Sequence, residues 1–157
     1  MKREETFNEL KRIAEEHSID FNCFLGRQID CGELCFEYNE REGFILFAYD
    51  RGTETYHYSN KDIEEFKYTI FEKLCIYMGF DYELKHRNVN HNFEHDDDLD
   101  LDTRKVAFEQ ALTLLNKVNA DWMKRTISEY EWLLNMRRRE KNVYFDINSM
   151  NFKVRVS

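Results

Sequence analysis

The stretch SNKDIEEFKYTIFEKLCIYMGFDYELKHR, Ser59 to Arg87, reads as one long helix on which the rest of the chain packs. Ser59 or Asn60 is a competent N-cap, and Asp62, Glu64 and Glu65 put acids in or near the first turn. Lys85, His86 and Arg87 put cations in the last turn, so both ends complement the helix dipole. Ile63, Phe66, Ile70, Leu74 and Tyr77 form one apolar row, and Phe71, Cys75, Met78 and Tyr82 form a second. Only a narrow polar strip through Glu65, Glu72, Gly79 and Glu83 is left, which predicts a helix buried over most of its circumference.

Upstream, Glu4 to His17 is predicted as an amphipathic helix with Phe7, Leu10, Ile13 and Ala14 on its apolar face. Phe21 to Cys31 has no clear period and reads as an irregular linker flanked by Gly26 and Gly32. The pattern then changes to period two. Leu34, Phe36 and Tyr38 alternate with Glu33, Cys35 and Glu37, a turn follows at Asn39 to Glu42 with Gly43, and Phe44 to Tyr49 is continuously apolar, as in a central strand. Asp50-Arg51-Gly52 turns again, and Thr53 to Tyr58 alternates with Glu54, Tyr56 and Tyr58 on one face. Three antiparallel strands are therefore expected to lead into the long helix.

Downstream, Arg104 to Val118 is predicted helical through Phe108, Ala111, Leu112, Leu115 and Val118, with Asn119 as its break. Asp121 to Arg138 is predicted as another helix in which Trp122, Thr126, Tyr130, Leu133 and Leu134 share a face. Val143, Phe145 and Ile147, then Phe152, Val154 and Val156, alternate on either side of Asn148 to Asn151 as a last hairpin. The fold class is α+β. An antiparallel sheet, made of an N-terminal three-stranded meander and a C-terminal hairpin, packs with about four helices, the one near 60–87 central.

The 157 residues, 42% hydrophobic and 15% aromatic, suit one domain over 1–157 with its own core. No signal-peptide pattern and no apolar run near twenty residues is present, and Cys23, Cys31, Cys35 and Cys75 contain no C-x-x-C pair. A cytoplasmic protein with reduced thiols and no membrane association is expected. The net charge is −8, from 23 Lys and Arg against 31 Asp and Glu. Glu94, Asp96, Asp97, Asp98, Asp100 and Asp102 supply six of those negative charges, with no Lys or Arg between Asn88 and Thr103. Such a balance argues against nucleic acid and favours a basic partner surface or no partner at all.

Several constellations have a chemical reading, each set against a plainer one. Asp98, Asp100 and Asp102 alternate, and Glu109 stands where a calcium loop has its last ligand, but Thr103 replaces the required Gly and a helix follows. A solvated loop whose last acids favour the next helix N-terminus, or an acidic docking surface, accounts for them without metal. His17, Cys23, Cys31 and Cys35 have zinc-ligand chemistry without zinc-ligand spacing. Tyr82, Glu83, His86 and Arg87 resemble an acid/base cluster, yet Glu83 and Arg87 are an i, i+4 pair and no second cluster supplies a nucleophile. No catalytic residue, metal or cofactor is assigned. Trp122 falls on an apolar helix face, whereas Trp132 is offset from it and marks a contact site. The cations Arg137 to Arg139 and Lys141 fit a helix C-terminus better than nucleic acid.

The order Tyr82-Glu83-x-x-His86-Arg87, then Asp102-x-Arg104, Phe108-x-Gln110 with Leu114-Leu115, then Trp122 and Glu129, resembles immunity protein family sixty-three of bacterial polymorphic toxin systems. Gly52, Tyr56, Asp62 and Phe71-Glu72 look similar too, so the likeness covers 52 to 134 and hardly touches the first fifty residues. The acid-rich insertion between Arg87 and Asp102 departs from the pattern. The resemblance implies a small non-enzymatic α+β protein that binds and neutralises the catalytic domain of a cognate toxin. Its matched polar residues, Tyr82, Glu83, His86, Arg87, Asp102, Arg104, Gln110 and Trp122, form either a structural network, the reading preferred here, or the binding face. Glu94, Asp96, Asp97, Asp98, Asp100 and Trp132 are the expected partner contacts.

Overall fold

The computed structural model describes residues 2–87 and 98–156. It divides into two compact units, Met1–Leu74 and Cys75–Ser157. In the first, α1 (Lys2–Glu16) precedes a four-stranded sheet of β1 (Cys23–Leu25), β2 (Leu34–Asn39), β3 (Gly43–Asp50) and β4 (Thr53–Asn60), in the order β1-β2-β3-β4. The long helix α2 (Ile63–Lys85) begins in this unit and ends in the next. The second unit adds a 3-10 turn (Leu99–Leu101), α3 (Thr103–Val118), α4 (Ala120–Asn135) and the hairpin β5 (Val143–Asp146) and β6 (Asn151–Val154). The class is α+β, with four helices, an N-terminal meander and a C-terminal hairpin.

The meander is as expected, but the linker contains a strand. β1 pairs in parallel with β2, placing Phe24 opposite Cys35, so the N-terminal sheet is mixed rather than purely antiparallel. Along β3 and β4 the register shifts at Ala48/Tyr49: Tyr49 faces Glu54, while Ala48 faces Tyr56. Thr55 is the extra residue, and it moves Glu54 off the face of Tyr56 and Tyr58 onto that of His57. His57 accordingly donates to Glu54 at 3.2 Å and to Glu42 at 2.9 Å. The tight turn into β3 requires glycine. Gly43 has φ +85°, and a Cβ there would lie 2.7 Å from the Asn60 carbonyl oxygen.

The inner face of the sheet carries Phe36, Phe44 and Leu46, all buried. Phe66 of α2 sits against Phe36, Phe44 and Tyr58 with ring centroids 5.7, 5.6 and 6.3 Å away, and Phe7 of α1 adds an edge contact to Phe21 at 5.2 Å. Leu10 and Ala14 complete the buried stripe of α1. Helix α2 starts at Ile63 because β4 runs on to Asn60; Ser59 and Asn60 are strand residues, not caps. Asp62 is the cap, its Oδ1 accepting from the Glu64 and Glu65 amides at 2.9 and 3.4 Å.

In the second unit Phe108 stacks on Tyr130 at 4.3 Å, which joins α3 to α4. Buried Met123, Thr126, Tyr130 and Leu134 form the inner face of α4, with Trp122 only half-buried. Three polar side chains hold the hairpin to these helices. Asn135 accepts from the Val143 amide and donates to its carbonyl, Glu131 accepts from Phe145, and Glu109 accepts from Phe152, at 2.9 to 3.0 Å. Helix α4 stops at Asn135, short of the arginine run. Lys141 donates to the carbonyls of Asn135, Met136 and Arg138, so it, rather than Arg137 or Arg139, occupies the helix C-terminus.

Candidate partner-binding surface

The polar strip foreseen along α2 does not face water in the second unit. Gly79 is buried, and a Cβ there would collide with the Ala107 carbonyl of α3. Glu83, one turn on, is only 4% exposed and receives two hydrogen bonds from Arg87, Nε and Nη2 each at 2.8 Å. Those bonds hold the guanidinium charged and raise its pKa further. The predicted i, i+4 pair therefore exists, turned inward by helix packing. His86 donates from Nδ1 to the Tyr82 carbonyl at 2.8 Å and stacks on the Tyr82 ring at 4.0 Å. Each group of the supposed acid/base cluster thus has a partner between Tyr82 and Arg87.

Asp102 and Arg104 make the second polar knot. Asp102 caps α3 through the Arg104 amide at 3.0 Å and holds the Arg104 side chain through Nε at 3.0 Å and Nη2 at 2.7 Å. Arg104 Nη1 donates to the Leu133 carbonyl at 3.0 Å, tying the start of α3 to the end of α4. Gln110 and Trp122 lie half-buried on the same two helices.

Glu94, Asp96 and Asp97 lie outside the described residues. Asp98 and Asp100 are exposed, and Asp98 accepts from the Asp100 amide at 3.0 Å to open the 3-10 turn. Glu109 is committed to Lys105 at 2.7 Å and to the Phe152 amide at 3.0 Å. Cys23 and Cys35 are buried in the sheet and Cys31 is exposed. Burial raises the Cys23 thiol to about 12 and pushes Cys35 up as well, the reverse of what a metal-ligating thiolate needs. Among the described residues no three His, Cys, Asp or Glu side chains converge as a metal ion would require, and no helix is long and apolar enough to cross a membrane.

Exposed apolar groups are what remain. Trp132 stands 63% exposed on α4, with Met136 one turn beyond it. Tyr77, Phe80 and Leu84 are exposed on the second half of α2, against the expectation that the helix would be buried nearly all round. On the first unit a cavity of about 420 Å³ opens between Phe24, Gln28, Ile29, Cys31, Gly32 and Glu33. Nothing in the aperiodic sequence of residues 21–33 signals it.

The described residues thus form an α+β scaffold with engaged polar groups and solvent-facing aromatic side chains. The family model for Immunity protein 63 matches residues 39–132, more than half of the chain, and the chain belongs to that family. The match starts at Asn39, earlier than the resemblance read from Gly52 onward. Among curated proteins and among solved structures nothing matches the chain. Membership supports an immunity function and, in general, a toxin as partner.

Proposed function

We propose that the chain is a non-enzymatic inhibitor that binds the catalytic domain of a cognate toxin of a bacterial polymorphic toxin system and blocks it in the cytoplasm until export. The observation that carries this reading is the match of residues 39–132 to the immunity family. Its 157 residues act as one binding domain. The net charge of −8 supports a toxin with a basic surface and opposes a nucleic-acid or anionic-membrane partner. Exposed Trp132 is one hydrophobic anchor of the contact, and the acidic stretch through Glu94, Asp96, Asp97, Asp98 and Asp100 steers encounter. Glu83 with Arg87 and Asp102 with Arg104 shape the scaffold under that surface rather than touching the toxin.

Co-expression tests it. Cells producing the toxin domain encoded in the adjacent reading frame survive when this chain is made with it; equal killing with and without the chain contradicts the proposal. Changing Asp96, Asp97, Asp98 and Asp100 to Asn slows association at low salt, and an unchanged rate removes the acids from the contact.

A further inference from the structure

We propose that the outward face of α2, Tyr77, Phe80 and Leu84, enters an apolar groove rimmed by Lys or Arg on the toxin. The inference rests on the immunity reading above and names the surface that serves it. The three side chains stand at i, i+3 and i+7, the spacing of a single helix face, and are 47, 39 and 62% exposed. Single exposed apolar residues are ordinary, but an aligned row of large ones marks a contact surface.

The row is fixed where it is. On the other side of the same turns Gly79 lies against the Ala107 backbone and Glu83 is buried on Arg87, so rotating Leu84 inward would bring a side chain into the Ala107 carbonyl and strand a carboxylate. Phe80 is further held edge-on to Phe108 at 6.1 Å. A rigid anchor of this kind loses little side-chain entropy on binding.

Charge selects the occupant. Two copies of a chain at −8 repel one another, while Asp81 on the flank of the row is paired with Lys85 at 2.7 Å and leaves the flank itself neutral. A groove rimmed by cations gains from the net charge of the chain, with the apolar row supplying the buried area.

The purified chain and its Tyr77→Ala and Leu84→Lys variants are titrated calorimetrically into the toxin domain from the neighbouring reading frame, with light scattering on the chain alone. The expected result is a monomeric chain whose variants melt like wild type but bind about thirtyfold more weakly or worse. Lys11→Ala, an exposed change on α1, binds normally. Variants that bind within twofold of a binding wild type overturn the proposal and leave the immunity reading standing. A wild type that does not bind overturns both. A chain that dimerises, with Leu84→Lys monomeric, assigns the face to a second copy and overturns the toxin as its occupant.

Discussion

Gly79 of α2 lies directly against the backbone carbonyl of Ala107 in α3, with the Ala111 Cβ 3.3 Å from where its own Cβ would stand. In an exposed helix, Gly→Ala stabilises by about 1 kcal/mol. Here the obstacle is backbone, which cannot step aside as a side chain can, and overpacking of this kind costs about 1–3 kcal/mol. Gly79→Ala is therefore expected to destabilise, by roughly 2 kcal/mol in urea unfolding. An unchanged or raised midpoint would show that the α2 and α3 backbones are not in close approach.

Asp102 does two things at once. It caps α3, and it holds Arg104 in position to donate to Leu133 at the end of α4. Loss of a cap alone costs about 0.5–2 kcal/mol. Asp102→Ala should exceed that range, and Asp102→Asn, which keeps the cap but not the charge-assisted pair, should fall between it and wild type. A double-mutant cycle with Arg104→Ala is expected to show coupling of about 1–3 kcal/mol; additive changes would separate cap from knot.

His57 gives the fold a measurable pH dependence. Hydrogen bonds that it donates to Glu42 and then Glu54 raise its pKa above the ordinary value, and Glu42 is lowered by accepting from His57. A raised histidine stabilises fully below its unfolded pKa and loses that contribution as pH rises through the folded one. A lowered carboxylate does the opposite, losing its contribution as pH falls through its folded pKa. The melting temperature should thus be highest in mildly acidic solution and drop by a few degrees at most toward pH 8, since the groups are solvent-exposed. His57→Gln should flatten the upper limb; an unaltered profile would show that the bracket does not form in solution.

Thiol labelling distinguishes the cysteines. With Cys23 raised to about 12 and Cys35 and Cys75 also buried, only Cys31 should react quickly with a disulfide reagent at pH 8. All four should react in denaturant. Two fast thiols in the native chain would mean that β1 opens.

Trp132 separates binding from stability. At 63% exposure its replacement by Ala should alter unfolding free energy by no more than about 0.5 kcal/mol, while protection against the toxin weakens. Loss of fold with loss of protection would make it a structural residue instead.

The helices and the antiparallel strands were legible because their apolar residues keep period 3.6 or 2, and the Glu83–Arg87 pair because i, i+4 neighbours meet on any helix. What escaped depends on tertiary context. β1 is three residues long and gains its identity only from pairing with β2. One extra residue at Thr55 reverses Glu54 without disturbing the visible alternation. Gly79 and Glu83 looked like a solvent strip because only the approach of α3 makes that side of the helix the inside, which in turn leaves Tyr77, Phe80 and Leu84 outside. The Arg104 bond to Leu133 joins residues 29 apart in sequence, a distance no local pattern encodes.

Inhibition by binding without chemistry is measured most directly as the activity of the purified toxin domain while the purified chain is added. Activity should fall linearly to its floor at one equivalent, and mass spectrometry of the recovered toxin should show no covalent change. Full activity in the presence of excess chain, or inactivation by a small fraction of an equivalent that leaves the toxin modified, would contradict it.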